Sequence, residues 1–341
     1  MLCPLLAAAA FSWVSAQPPA LALLRGRLEA IIARHELPLI DLSSTEDVYV
    51  LEPGPLAERL DELGVAVFGV SCELEDSPGS GAAEDWQACA ENAARIRPDV
   101  FVALPNADFD YARFMDPPQD PYEILERAAA QVRAGAPTLG PVRLWTFAYW
   151  EERVDRRARY LPEIRSVPPE GELARRLLVL AETSGIPLQV LGEADDRFLP
   201  RLEAMLAAHP KARVVWGRAG MVHGLAQGGT YSAEYVGRLL DRYPNLYLEL
   251  SSGLGNMFDR EAPPRNLMHD EKTDTMKPEW KALIEKHPWR FISGFELSSR
   301  ELQRLPSQVK RQRAILRQLS PRAAEIVAYK SAWKLFFHES L

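Results

Sequence analysis

Residues 185–220 read GIPLQVLGEADDRFLPRLEAMLAAHPKARVVWGRAG. An apolar run, residues 186–191, is followed by a helical stretch, residues 196–209, and by a second apolar run, residues 213–217. Ser184-Gly185 closes the preceding helix and His209-Pro210 closes the next one, as glycine and proline do just past helix ends. Neither strand candidate alternates apolar with polar residues. Continuous apolar runs belong to strands covered on both faces, and a helix between two of them makes a parallel β-α-β unit.

The same unit recurs outward in both directions. Further strand candidates are residues 38–42 (PLIDL), 65–71 (VAVFGVS), 100–104 (VFVAL), 142–147 (VRLWTF), 246–250 (LYLEL) and 290–293 (RFIS). Helical patterns fill the intervals at 55–63, 84–97, 121–134, 171–184, 232–243 and 278–286. In 172–181, Leu173, Leu177, Leu178 and Leu180 approximate the apolar stripe of a sheet-covering helix. Eight strands, mostly followed by helices, predict an α/β chain of the (β/α)8 TIM-barrel class, in one domain spanning residues 37–341. A doubly wound sheet is the competing arrangement, with fewer strands and a glycine-rich first turn. Neither GxGxxG nor GxxxxGK[ST] occurs, so nucleotide binding has no motif behind it. Two long stretches, 148–169 (rich in arginine) and 251–277, each follow a strand end and are expected to rim the functional face.

Composition agrees with a globular chain: 341 residues, 47% hydrophobic and 26% charged, enough to bury a full core without staples. The net charge of -7 argues against nucleic acid, whose phosphates call for a basic face. Residues 1–24 carry no charge. Residues 1–16 are read as an export signal cleaved after Ala16, although the usual basic start is missing; a loosely packed helix is the competing reading. A periplasmic or secreted protein is expected, with the cytoplasm as alternative. Residues 17–36 are read as a helical segment preceding the barrel. After cleavage Cys72 and Cys89 remain, an even pair whose bonding sequence leaves open.

Several phrases, in this order, resemble the amidohydrolase-related branch of the metal-dependent hydrolases, the branch of aminocarboxymuconate semialdehyde decarboxylase. They are Pro38-Leu39-Ile40-Asp41, Gly185 to Val190, His209-Pro210-Lys211 leading to Val214 to Gly220, Tyr243 to Ser251, Arg290 to Gly294, and the closing stretch Ala324 to Phe336. The resemblance implies a TIM barrel with a metal at its C-terminal mouth. It also implies a ligand set that this chain lacks. The positions of the His-x-His pair are Ser43 and Thr45, the strand-five histidine is Leu191, the strand-six histidine is Arg218, and the strand-eight aspartate is Glu296. A catalytic metal needs about three good protein donors, and a guanidinium repels a cation. No metal ligand and no cofactor are therefore expected.

Six histidines, His35, His209, His223, His269, His287 and His338, show no metal-ligand spacing and are read as surface or capping residues; only His223 and His269 fall on the proposed functional face. A nucleophile elbow is absent, and the strand-end serines Ser43, Ser44, Ser251 and Ser252 are read as hydrogen-bonding spacers. The acids Asp41, Glu46, Asp47, Glu193, Asp195, Asp196, Glu249 and Glu296 are read mainly as partners of arginines such as Arg218 and Arg143; acid/base work by a close pair is the alternative. Arg218 is expected to pair with Glu296 or to take a ligand carboxylate or phosphate. The expected function is a metal-free barrel that binds a small, anionic ligand through Ser43, Thr45, Arg143, Leu191, Arg218, His223 and Glu296, or that binds a protein partner. That partner would be a second copy or a homologous subunit. The alternative is a hydrolase or decarboxylase rebuilt around Arg218, Glu296, Asp41 and Glu249.

Overall fold

The computed structural model describes residues 18–43, 45–47, 51–73, 83–104, 121–145, 167–251, 265–270, 273, 275–295 and 299–341. Helix α1 (Pro18–Ala33) leads into β1 (Leu39–Asp41) and β2 (Thr45–Asp47), two pieces of one irregular strand. Then come α2 (Pro53–Glu62), β3 (Val65–Glu73), α3 (Ala83–Ile96), β4 (Phe101–Ala103), α4 (Pro121–Arg133) and β5 (Leu139–Trp145). The second half runs α5 (Glu172–Ser184), β6 (Leu188–Gly192), α6 (Leu199–Ala208), β7 (Val214–Trp216), β8 (Met221–Val222), α7 (Ala233–Arg242) and β9 (Leu246–Ser251). Short strands β10 (Arg265–Asn266), β11 (His269–Asp270) and β12 (Thr275–Met276) precede α8 (Pro278–Lys286) and β13 (Phe291–Gly294). The chain closes with α9 (Leu305–Leu316), α10 (Pro321–Glu325), one π-helical turn (Ile326–Lys330) and α11 (Ser331–Phe337).

All eight strands read from the apolar runs are present and parallel, in two ladders. One is β1–β3–β4, with β2 extending β1 along β3; the other is β5–β6–β7–β9–β13. Strand β1 lies beside β13, so the two arcs follow one another in chain order, as in a (β/α)8 barrel. Helix ends follow local chemistry. Gly185 takes the left-handed conformation (φ 70°) that closes α5, and the Ser232 hydroxyl accepts the Tyr235 N–H to start α7. Short α6 begins later than its pattern suggested, because Asp195 first organises a turn: its carbonyl accepts from Phe198 and Leu199 and its carboxylate from Arg197 N–H.

The core lies between strands and helices, where Val67, Phe68, Leu177, Val190, Val236, Leu248 and Phe291 are fully enclosed. Behind β5–β7 an aromatic row runs Trp145–Phe198–Trp216–Tyr231–Trp280, with neighbouring centroids 5.5–6.5 Å apart. Cys72, the penultimate residue of β3, is disulfide-bonded to Cys89 in α3, with Cα atoms 6.1 Å apart. The pairing left open by the sequence is thus made. Among the described residues, no helix is long and apolar enough to cross a membrane.

Candidate functional site at the barrel mouth

Strand β1 ends on Asp41, a carboxylate with no exposed surface. It survives there because the chain turns back on it: Asp41 Oδ1 accepts from Ser43 N–H at 3.0 Å and lies 2.7 Å from Ser43 Oγ. The same hydroxyl lies 3.0 Å from Glu249 Oε1 on β9, almost across the barrel in sequence. Ser43 therefore links two buried acids, Glu249 being 4% exposed. A hydroxyl owns one proton, so it donates to one carboxylate at a time or shares itself between both.

Glycine makes room for Glu249. A Cβ on Gly294 of β13 would sit 2.0 Å from Glu249 Oε1, and one on Gly217 would sit 3.4 Å from Oε2. Leu191 fills the neighbouring space, its Cδ2 being 2.7 Å from the Cβ position of Gly217. Alternation places Gln189, Leu191, Gly217 and Glu249 on the inner wall, and Gln189 Nε2 crosses to the Leu42 carbonyl at 2.8 Å. Arg143, opposite Leu191 in the ladder, shares that wall and is half-buried.

Arg218 follows β7 with φ 62°. The other non-glycine residues with positive φ, among the described ones, are His35 and His338, both just past helix ends; Arg218 is at no helix end. Its conformation is held from outside. Ala219 N–H bonds the Glu249 carbonyl at 2.9 Å, Met221 N–H bonds the Arg218 carbonyl at 3.0 Å, and Gly220 N–H bonds the Tyr231 hydroxyl at 3.2 Å. Burial pushes the Tyr231 phenol up to about 12, so that oxygen stays neutral. Backbone strain fixed this firmly is characteristic of functional positions. The guanidinium donates from Nη1 to Glu193 Oε1 at 3.3 Å; its side chain is 18% exposed and that of Glu193 4%.

The two acids after Glu193 anchor the next loop. Asp195 takes Arg197 through both oxygens and Gln227 N–H at 2.9 Å. Burial alone would raise its pKa, but the Arg197 bonds and the backbone N–H groups of Gln227 and Arg197 outweigh burial and hold it below the ordinary range. Asp196 accepts from Gly229 and Thr230 N–H, and a Cβ on Gly228 (φ 92°) would collide with its carboxylate.

The residues singled out from sequence divide as follows. Asp41, Ser43 and Glu249 come together. Arg218 meets Glu193 within the described residues, whereas Glu296, its expected partner, lies outside them. Thr45 lies in β2, and only its backbone is described. Glu193 and Asp195 do meet arginines; Asp41 and Glu249 share the Ser43 hydroxyl, a link no local pattern announces because Ser43 and Glu249 are 206 positions apart. His209, His287, His35 and His338 occupy helix ends as read. His223 and His269 require a correction. They are 5% and 3% exposed, because β8 pairs with β10 and β11 with β12, and this small antiparallel cover encloses both. His223 Nδ1 accepts from Leu225 N–H.

The donor chemistry does not fit the transition metal that the sequence resemblance implies. Ser43 is engaged with carboxylates, Leu191 packs on Gly217, and Arg218 brings a permanent cation. Among the described residues, no three His, Cys, Asp or Glu side chains converge on a metal-sized site.

No protein-family model matches the sequence, and no curated protein is significantly similar to it. Solved structures resemble it in part. A dihydroxybenzoic acid decarboxylase from a Polaromonas species, with bound manganese and an inhibitor, is 10% identical over 88% of this chain and 96% of its own, with a TM-score of 0.49. A 4-oxalomesaconate hydratase from Rhodopseudomonas palustris is 15% identical over 94% and 92%, with a TM-score of 0.47. A zinc-bound amidohydrolase from Burkholderia multivorans is 15% identical over 87% and 99%, with a TM-score of 0.45. No residue role passes from them to this chain. By its parallel strand order, the chain is an α/β protein of the (β/α)8 arrangement in fold.

Proposed function

We propose that this protein is a metal-independent barrel that binds a small organic anion at its mouth, with Arg218 as the contact for the ligand's acidic group. The observation that carries this reading is the conformation of Arg218: a guanidinium held at a strained backbone position, partly open to solvent and 3.3 Å from Glu193. Asp41, Ser43 and Glu249 would form the floor and accept from ligand hydroxyls. A panel of small carboxylates screened by thermal shift tests it. Wild type is expected to be stabilised by at least one of them, and Arg218→Gln to lose that response while folding normally. Stabilisation unchanged in Arg218→Gln overturns the reading. Protein supplied with zinc, manganese or iron and then dialysed is expected to keep far less than one equivalent. Stoichiometric metal that is lost on replacing His223 and His269 would restore a metal-dependent reading.

A second reading is favoured by the shared hydroxyl. Two buried carboxylates on one proton donor can divide a proton between them, which is the arrangement general acid/base chemistry uses. Turnover of a decarboxylase or hydrolase substrate, abolished by Asp41→Asn and by Glu249→Gln, would select it over simple binding.

For location, the reading is export with residues 1–16 removed. The Cys72–Cys89 disulfide supports it, since such bonds persist in oxidising compartments. Intact mass of the native protein decides: a species beginning at Gln17 agrees, and a full-length cytosolic species does not.

A further inference from the structure

At the opposite end of the barrel, three inward-facing residues meet just where strands begin. Arg213 precedes β7, Tyr247 is the second residue of β9, and Arg290 precedes β13. Tyr247 shares the inner face with Glu249, two residues further along the strand. The ladder sets Val215 and, by continuation, Arg290 beside Tyr247. Arg290 lies with its guanidinium carbon 5.0 Å from the Tyr247 ring centre. Its Nε bonds the Leu246 carbonyl, and Nη2 bonds those of Tyr243 and Leu246. Arg213 Nη1 reaches the Leu335 carbonyl at 3.5 Å and His338 Nδ1 at 3.3 Å.

These bonds occupy one edge of each guanidinium. Among the described residues, Arg290 Nη1 and Arg213 Nε and Nη2 make no bond and are not sealed in. Among the described residues, no carboxylate pairs with either arginine, although burial depresses both pKa values. Four other arginines do meet an acid. Arg27 faces Asp61 and Asp99, Arg97 faces Asp99, Arg197 faces Asp195, and Arg218 faces Glu193. Two half-buried cations without a counter-charge, grouped around one phenol, form a receptor for one.

We propose that Arg213, Arg290 and Tyr247 form an oxyanion site at the N-terminal end of the barrel, taking a phosphate or sulfate group. The free edges of the two guanidiniums would each donate to the anion, and the Tyr247 hydroxyl would donate a further bond. The source of that group is either free inorganic anion or the phosphate of an organic phosphomonoester; both present the same oxygens.

Isothermal titration with inorganic phosphate, at fixed ionic strength set by chloride, tests the site on the full chain. Wild type is expected to bind one phosphate. Arg213→Gln, which removes one long backbone bond and the contact with His338, should weaken binding by roughly tenfold or more, as loss of a charge-assisted bond does, and Tyr247→Phe by a few fold. Arg290→Lys, which keeps the charge but not the fork, covers the case in which Arg290→Gln fails to fold, and should also weaken binding. Arg218→Gln, at the other end, should leave phosphate affinity unchanged, which separates this site from the mouth. Titration with glycerol phosphate at the same ionic strength separates the sources: equal affinity means recognition of the oxyanion alone, and tighter binding means an organic phosphate. No heat above the chloride control, or binding that survives Arg213→Gln, overturns the proposal.

Discussion

The two ends of this barrel are built from opposite charges. At the mouth, where strands end, the buried groups are acids: Asp41, Glu193, Asp195 and Glu249. At the other end, where strands begin, half-buried arginines stand: Arg313 donates to the carbonyls of Leu37 and Leu63, Arg290 to those of Tyr243 and Leu246, and Arg27 to Val65. The backbone explains the division. In a β-α unit each helix begins near the mouth and ends near the opposite face, so its positive dipole end favours acids above and its negative end favours cations below. Loop carbonyls below also need donors, which long guanidiniums supply without entering the strands. The lower end is thus satisfied mostly by main chain, whereas the mouth depends on side chains meeting each other.

The sharpest way to break this contrast is Gly294→Ala. The new Cβ falls on the Glu249 carboxylate and must expel it from the Ser43 hydroxyl, at a cost of about 3 kcal/mol or more, measurable by denaturant unfolding. Glu249→Ala in the same chain should recover part of that loss. A neutral Gly294→Ala would show that Glu249 does not occupy this space.

Opening the Cys72–Cys89 bond, by Cys89→Ser with Cys72→Ser, should cost about 3 kcal/mol for a loop of this size. Equal stability of the double variant and wild type would show that this tie near the mouth does not limit unfolding. At the lower end, Arg313→Met should cost about 2 kcal/mol, because the carbonyls of Leu37 and Leu63 lose a charged donor. The carboxylate screen should be unaffected by it, since no mouth residue is touched.

The smallest effect is in pH. His338 is held below its ordinary pKa by burial and then by the Arg213 guanidinium. His287 is held below it by burial first and then Lys286, with Asp241 opposing. Both stand at the lower end. A depressed folded pKa means that the unfolded chain binds more protons, so their contribution is present above about pH 6.5 and fades as pH falls through the lower folded values. Asp195 at the mouth, also depressed, loses its contribution only at more acid pH, below the ordinary aspartate range near pH 4. Mild acid should therefore loosen the lower end first. Hydrogen exchange at pH 5.5 would reverse the comparison if residues 193–231 opened before residues 331–338.

How much of this was legible beforehand can be judged residue by residue. The eight strands were readable because each is a continuous apolar run, and burial on both faces leaves that mark in any sequence. Helices α5, α7 and α8 were readable because glycine, serine and proline mark their ends. That Ser43, Leu191 and Arg218 are poor metal donors was also a matter of residue type alone. The cover formed by β8, β10, β11 and β12 was not readable, since two-residue strands carry no periodicity, and His223 and His269 were taken for open residues on that account.

By itself, then, the sequence determined the order of elements and which side-chain chemistry stands at each strand end, because both depend on near neighbours in the chain. Only the tertiary structure decided that Ser43 links Asp41 to Glu249, that Gly294 makes room for that link, that Arg218 takes Glu193, and that Arg290 lies against the Tyr247 ring. These are contacts between residues far apart along the chain, fixed by barrel register rather than by local propensity, and that register exists only once the strands have assembled.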